Sequence, residues 1–134
     1  MRLADHLAAA AAEPFVWGHS DCCLFPADWM KARTGIDPAA PLRGRYGTAF
    51  GALRHITARG GFVQMVRDLM RDAGFAETDS PVPGDVGIVM QPGGPVLAIK
   101  TPLGWAGKAP EGIIAGPFKH LAAWTIPIVD QKCT

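Results

Sequence analysis

The chain has 134 residues, 49% of them hydrophobic and 19% charged, with thirteen Lys and Arg against twelve Asp and Glu for a formal charge of +1. That length sets the expectation at one domain spanning 1–134, and the apolar content excludes intrinsic disorder. The near-neutral balance lacks the electrostatic footprint of a nucleic-acid binder, and no run of basic residues reads as a membrane anchor.

In chain order, Leu3, Leu7, Ala10 and Ala11 keep the three-to-four spacing of a short amphipathic helix that Pro14 must end. Asp5 and His6 interrupt the apolar opening and only Arg2 precedes it, so a helix rather than a signal peptide is expected. Ser20 and Asp21 are good N-caps for a second helix reaching Thr34, with Gly35 as its stop. Leu24, Phe25, Ala27, Trp29 and Ala32 make that helix apolar on most faces, the pattern of a buried one. Pro26 within it removes a backbone donor that would have served Cys22. Thr48 caps a third helix with Phe50, Leu53 and Ile56 inward, broken by Gly60-Gly61. A fourth follows, with Phe62, Val66, Leu69, Met70 and Ala73 in register and Gly74 as its close.

After Pro81 and Pro83-Gly84 the pattern changes to short apolar runs separated by Gly and Pro: Asp85–Met90, Val96–Lys100, Trp105 with its neighbours, Ile113–Ala115 and Ala123–Val129. These read as strands joined by tight turns, Gly93-Gly94-Pro95 among them, and Pro127 argues for an edge position. Helices first and strands second give an α+β domain with an antiparallel sheet. No stretch is long and apolar enough for a transmembrane helix, so no membrane insertion is expected.

Cysteines number three: Cys22, Cys23 and Cys133. Adjacent cysteines close only a strained ring, and Cys133 is next to the last residue, so reduced thiols are expected rather than a disulfide framework. Phe15-Val16-Trp17-Gly18-His19-Ser20-Asp21-Cys22-Cys23 delivers Cys22 to the first turn of the second helix. Unsatisfied N–H groups and the positive end of the helix dipole there favour a thiolate and can stabilise an oxyanion. The plainer alternative is two small buried hydrophobes.

A thiol nucleophile needs a base. His19 is close in sequence and is the candidate; His120, before the last strand, could approach only through tertiary folding, and His6 and His55 fall on polar helix faces. Trp17, Trp29 and Trp124 have core-like neighbours, whereas Trp105 stands among small residues and reads as exposed. His19, Cys22 and Cys23 could ligate zinc, but no fourth ligand completes a tetrahedral set, so neither a metal nor any other cofactor is expected.

Phe15-Val16-Trp17-Gly18 followed by Asp21-Cys22, with Gly84-Asp85-Val86 opening a strand some sixty residues on, resembles the NlpC-type papain-like peptidases that cut the peptide stems of bacterial cell wall. Asp21-Cys22-Cys23-Leu24-Phe25, Thr34–Pro38 and Ala123-Trp124 are similar to short relatives carried by tailed phages and gene-transfer particles. The resemblance runs from Phe15 to about Ile128. It implies a papain-like fold in which helices, one carrying Cys22 at its start, pack on the sheet. It also implies Cys22 as nucleophile, with Cys23 turned into the core.

That family's histidine opens the next strand in a His-Val-Gly-Ile pattern; here the strand reads Pro95-Val96-Leu97-Ala98-Ile99, and no orienting residue follows near Trp105–Lys108. The resemblance then implies a tail-tip or baseplate component on a degenerate peptidase scaffold. It would be made in the bacterial cytoplasm, incorporated into the virion tail, and engaged with other tail proteins rather than nucleic acid. The alternatives are an active peptidoglycan endopeptidase using Cys22 with an unconventional base, and a non-catalytic binder of cell-wall peptides.

Overall fold

Pro14 ends the first helix where the spacing predicts: α1 spans Leu3–Ala12 in a computed structural model that describes residues 2–127. The second helix, α2 (Leu24–Thr34), closes on Gly35 in the left-handed conformation, as expected. α3 (Ala49–Ala58) is capped by Thr48, whose side chain accepts the Gly51 N–H at 3.0 Å, and α4 (Phe62–Ala73) closes on Gly74.

Five strands follow, β1 (Val86–Gln91), β2 (Gly94–Thr101), β3 (Gly104–Ala109), β4 (Gly112–Gly116) and β5 (His120–Trp124). They form one antiparallel sheet in the order β4-β3-β2-β1-β5. Each of the three hairpins from β1 to β4 turns on a proline followed by one residue and a strand-opening glycine: Pro92-Gly93-Gly94, Pro102-Leu103-Gly104 and Pro110-Glu111-Gly112. The last strand lies at an edge, but it starts at His120 and ends before Pro127, while Val129 lies outside the described residues. Its pairing with β1 slips between Ile88 and Val89.

The main core fills the space between helices and sheet. Leu24, Trp29 and Met30 of α2 and Met65, Val66 and Met70 of α4 pack against Val86, Ile88, Leu97, Ile99 and Trp124. Trp29 is fully buried and its Nε1–H donates to the Gly84 carbonyl at 2.8 Å, fastening α2 to the turn that opens β1. A smaller cluster of Val89, Ala98, Trp105 and Ala123 covers the other face.

Several expectations about side chains are corrected. Trp105 is 3% exposed rather than free: its indole lies across Gly87, where an added Cβ would meet the ring at 2.7 Å, so small neighbours mean room for the ring and not exposure. Phe50 and Leu53 are 70% and 57% exposed, because α3 packs through Ala52 with Ile56 half-buried, leaving the Phe50–Leu53 edge outward. His6 is buried, not solvated. Its ring stacks on Phe25 at 5.3 Å between centroids, and Nε2 lies 3.1 Å from the Phe25 carbonyl, which fixes that nitrogen as the donor. His55 and Trp17 belong to the cleft below.

Burial pulls the pKa of His6 below its ordinary value, outweighing the Phe25 hydrogen bond and the charges of Asp28 and Glu13, with Lys108 adding in the same direction as burial. The unfolded chain therefore accepts a proton that the folded chain resists, and stability is lost as pH falls below about 6.5. Thermal melting between pH 7.5 and 5 should fall more steeply in the parent protein than in His6→Phe; parallel slopes would remove His6 from the account.

Candidate functional site: a thiol at the mouth of an apolar cleft

The segment before α2 is built around one buried carboxylate. Asp21 is fully buried. Its Oδ1 accepts the N–H groups of Cys23 and Leu24, both at 3.0 Å, and its Oδ2 accepts the Gly18 N–H at 2.9 Å and the Tyr46 O–H at 2.6 Å. Its own carbonyl accepts the Phe25 N–H at 3.0 Å, so the helical bonding begins at Asp21 as expected. Pro26 has no N–H to return to the Cys22 carbonyl, and the regular helix therefore counts only from Leu24. Ser20 serves the preceding turn instead, donating to the Pro14 carbonyl at 2.6 Å and accepting the Val16 N–H at 3.1 Å. Cys22 thus occupies the first turn, with Asp21 as its cap.

Gly18 makes that turn possible. Its φ of +84° is left-handed, and a Cβ there would lie 2.0 Å from the Tyr46 carbonyl oxygen. Tyr46 can close over Asp21 only because residue 18 has no side chain. Burial, and then the hydrogen bond to Asp21, push the Tyr46 phenol well above its ordinary range, so it stays a neutral donor at any physiological pH.

Cys23 is buried and Cys22 half-buried, and both are free thiols. Cys133 lies outside the described residues. The sulfurs of Cys22 and Cys23 lie within 4.8 Å of each other, and the neighbouring Cys23 thiol holds the Cys22 pKa below the ordinary thiol value against burial and the nearby Asp21 charge. The Cys22 sulfur beside it, and then burial, push the Cys23 thiol up.

Cys22 opens onto a cleft of about 230 Å³ lined almost wholly by apolar atoms. Trp17 and Tyr46 form one wall, Ala52, Leu53, His55 and Ile56 of α3 another, Phe62 and Met65 of α4 a third, and Pro95 of β2 faces in from the sheet. Cys22 and Pro95 therefore share one cavity. Trp17, grouped with the core by sequence, is a half-buried wall of this cleft.

The histidines divide sharply. His19 is exposed in its turn and does not line the cleft. His120 is in β5 with its ring 5.7 Å from Trp105, on the sheet face away from the helices. His55, expected on a solvated face, lines the cleft, with its ring 5.7 Å from Tyr46 and Nε2 at 3.2 Å from the Arg45 carbonyl. Its spacing from Ala52 and Ile56 carries the signal: positions 52, 55 and 56 share one helical face. Tyr46 had no local signal at all, since its partner Asp21 is twenty-five residues away.

For metal binding, the side-chain ligand atoms of Asp21, Cys22 and Cys23 lie within 4.8 Å of one another, and His19 is not among them. Two donors already occupy each Asp21 oxygen, so the carboxylate anchors the turn and has no lone pair left for a metal. Lys108 of β3 does not reach the cleft; its buried ammonium lies 3.8 Å from Glu13, tying the end of α1 to the sheet. No helix is long and apolar enough to cross a membrane among the described residues.

A family model described as Domain of unknown function (DUF6950) matches residues 1–126. Comparison with curated proteins and with solved structures finds no match.

Proposed function

The chain belongs to the DUF6950 family, whose description assigns no activity, and from the geometry of the cleft we propose a papain-like, NlpC-type scaffold that has lost hydrolysis. It serves as a tip or baseplate component of a phage or phage-like tail and acts through protein contacts. One observation carries the reading: Pro95 occupies the sheet wall of the Cys22 cleft, and by the motif likeness alone that is the strand position where the resembled peptidases place their base. A pyrrolidine ring can neither take the thiol proton nor protonate a leaving amine. The tail context rests on the motif likeness of Asp21–Phe25, Thr34–Pro38 and Ala123-Trp124.

A second reading has its own observation. His55 lines the same cleft, and the Cys22 pKa is already lowered by Cys23, so an endopeptidase could run with the imidazole supplied from α3.

Two measurements separate them. On the non-hydrolytic reading, peptidoglycan fragments incubated with the protein stay intact and Cys22→Ala changes nothing. Thiol-dependent release of peptides would establish the enzyme instead. Iodoacetamide should label Cys22 below the pH at which an ordinary thiol reacts, and Cys23→Ala should shift that profile upward by removing the neighbouring thiol. If His55→Ala shifts it upward as well, the imidazole is acting on the sulfur, and the second reading gains. For the assembly role, particles made without this reading frame should show incomplete or non-infectious tails; intact infectious tails would end it.

A further inference from the structure

Between Pro38 and Arg67 the chain carries five arginines and His55 but not one Asp or Glu, in a protein whose overall charge is only +1. The imbalance is therefore local, and the fold places that segment beside the cleft. Arg43 is held by Asp28 and Asp37, and Arg67 lies near Glu77. Arg45 and Arg54 are exposed and form no ion pair among the described residues.

These two side chains line a second, open cavity of about 430 Å³ together with Tyr46 and His55. Tyr46 and His55 also wall the Cys22 cleft, so the basic cavity and the apolar cleft adjoin across a shared pair of rings. Leu53, 57% exposed, stands on the cleft side of the same helix.

We propose that this face binds an acidic segment of a partner protein. A Glu or Asp carboxylate sits between Arg45 and Arg54, and a neighbouring large apolar side chain enters the Cys22 cleft. Charge complementarity selects the carboxylate, since a guanidinium fork matches it and no acidic residue of the segment competes. The apolar cleft next door selects a peptide over a polyanion, which would leave it empty. This rests on the reading of the cleft as a contact site and names the chemistry of its partner.

The test is an amide chemical-shift titration with the hexapeptide Gly-Phe-Glu-Glu-Phe-Gly and its counterpart carrying Gln for both Glu. At 50 mM salt the Glu peptide should bind at least about tenfold more tightly, with shifts confined to α3 and the Cys22 turn, and the gap should narrow at 500 mM salt. R45Q/R54Q, both at exposed positions that leave the fold untouched, should erase the gap. Equal affinity for the two peptides, no shifts with either, or tighter binding of a ten-residue oligothymidylate would each overturn the inference. A probe found cleaved after the titration would instead overturn the non-hydrolytic reading, leaving the recognition chemistry to stand on the affinities alone.

Discussion

Asp21→Ala should lower the unfolding free energy by about 5 kcal/mol, the largest loss expected from a single substitution in this chain. The carboxylate takes four hydrogen bonds in a site shut off from water, three from backbone N–H groups and one from a phenol. Removing it orphans the Gly18, Cys23 and Leu24 amides together, at roughly 1–3 kcal/mol each before partial relaxation, and deletes the cap of α2, which alone contributes about 1 kcal/mol. Asp21→Asn is the sharper probe. One oxygen can still serve Cys23 and Leu24, whereas the amide nitrogen now confronts the Gly18 N–H, so about half the loss is expected. Tyr46→Phe should cost about 1–2 kcal/mol alone and less in the Asp21→Asn background. Urea unfolding of the parent and these four variants measures this; strict additivity, or a loss under about 2 kcal/mol for Asp21→Ala, would show that the carboxylate does not organise the turn.

Gly18→Ala should cost about 4 kcal/mol, although it adds one methyl group. The left-handed backbone penalises any L side chain by about 1–2 kcal/mol. The added carbon would also sit 2.0 Å from a backbone oxygen, an approach that no rotamer change relieves. Either the 15–20 turn or the loop carrying Tyr46 must retreat, and Tyr46 then loses Asp21. The same retreat widens the Cys22 cleft, so Gly18→Ala should also speed iodoacetamide labelling at a fixed pH. Gly35→Ala is the control: its φ is also positive, at +78°, but nothing lies within 4 Å of the added carbon, so only the backbone penalty applies. Equal losses for the two variants would show that the Tyr46 contact does not matter.

The elements themselves were legible because punctuation agrees with periodicity. Pro14, Thr48, Gly35, Gly74 and the glycine-proline turns each mark an end that the apolar spacing also requires. Misreadings arose where a side chain answers to a distant surface. Phe50 and Leu53 keep helical spacing, yet α3 has only a short purchase on the core through Ala52, and the spacing cannot say which of two apolar edges is turned in. Trp105 stands among small residues in sequence, whereas the residue that makes room for it is Gly87, one strand beyond the neighbouring β2.

The site was half legible. An acid just before a cysteine predicts a capped thiol, and Asp21 and Cys22 are arranged that way. The hydroxyl that completes the carboxylate's shell and the imidazole that enters the cleft come from residues 46 and 55. Their selection depends on how α3 docks, and no local rule encodes that.

The order of strands has a consequence for how the chain reaches this state. β1 through β4 are zipped by three hairpins with two-residue loops, each needing only neighbours in sequence, so this meander can assemble early and quickly. β5 must come back past all of it to reach β1, and on arrival it brings Trp124 into the core and lays the Ile126 amide against the Asp85 carboxylate at 3.1 Å. Until that return is complete, β1 is a naked apolar border. The interval before closure is when nascent molecules are most exposed to one another and most prone to aggregate.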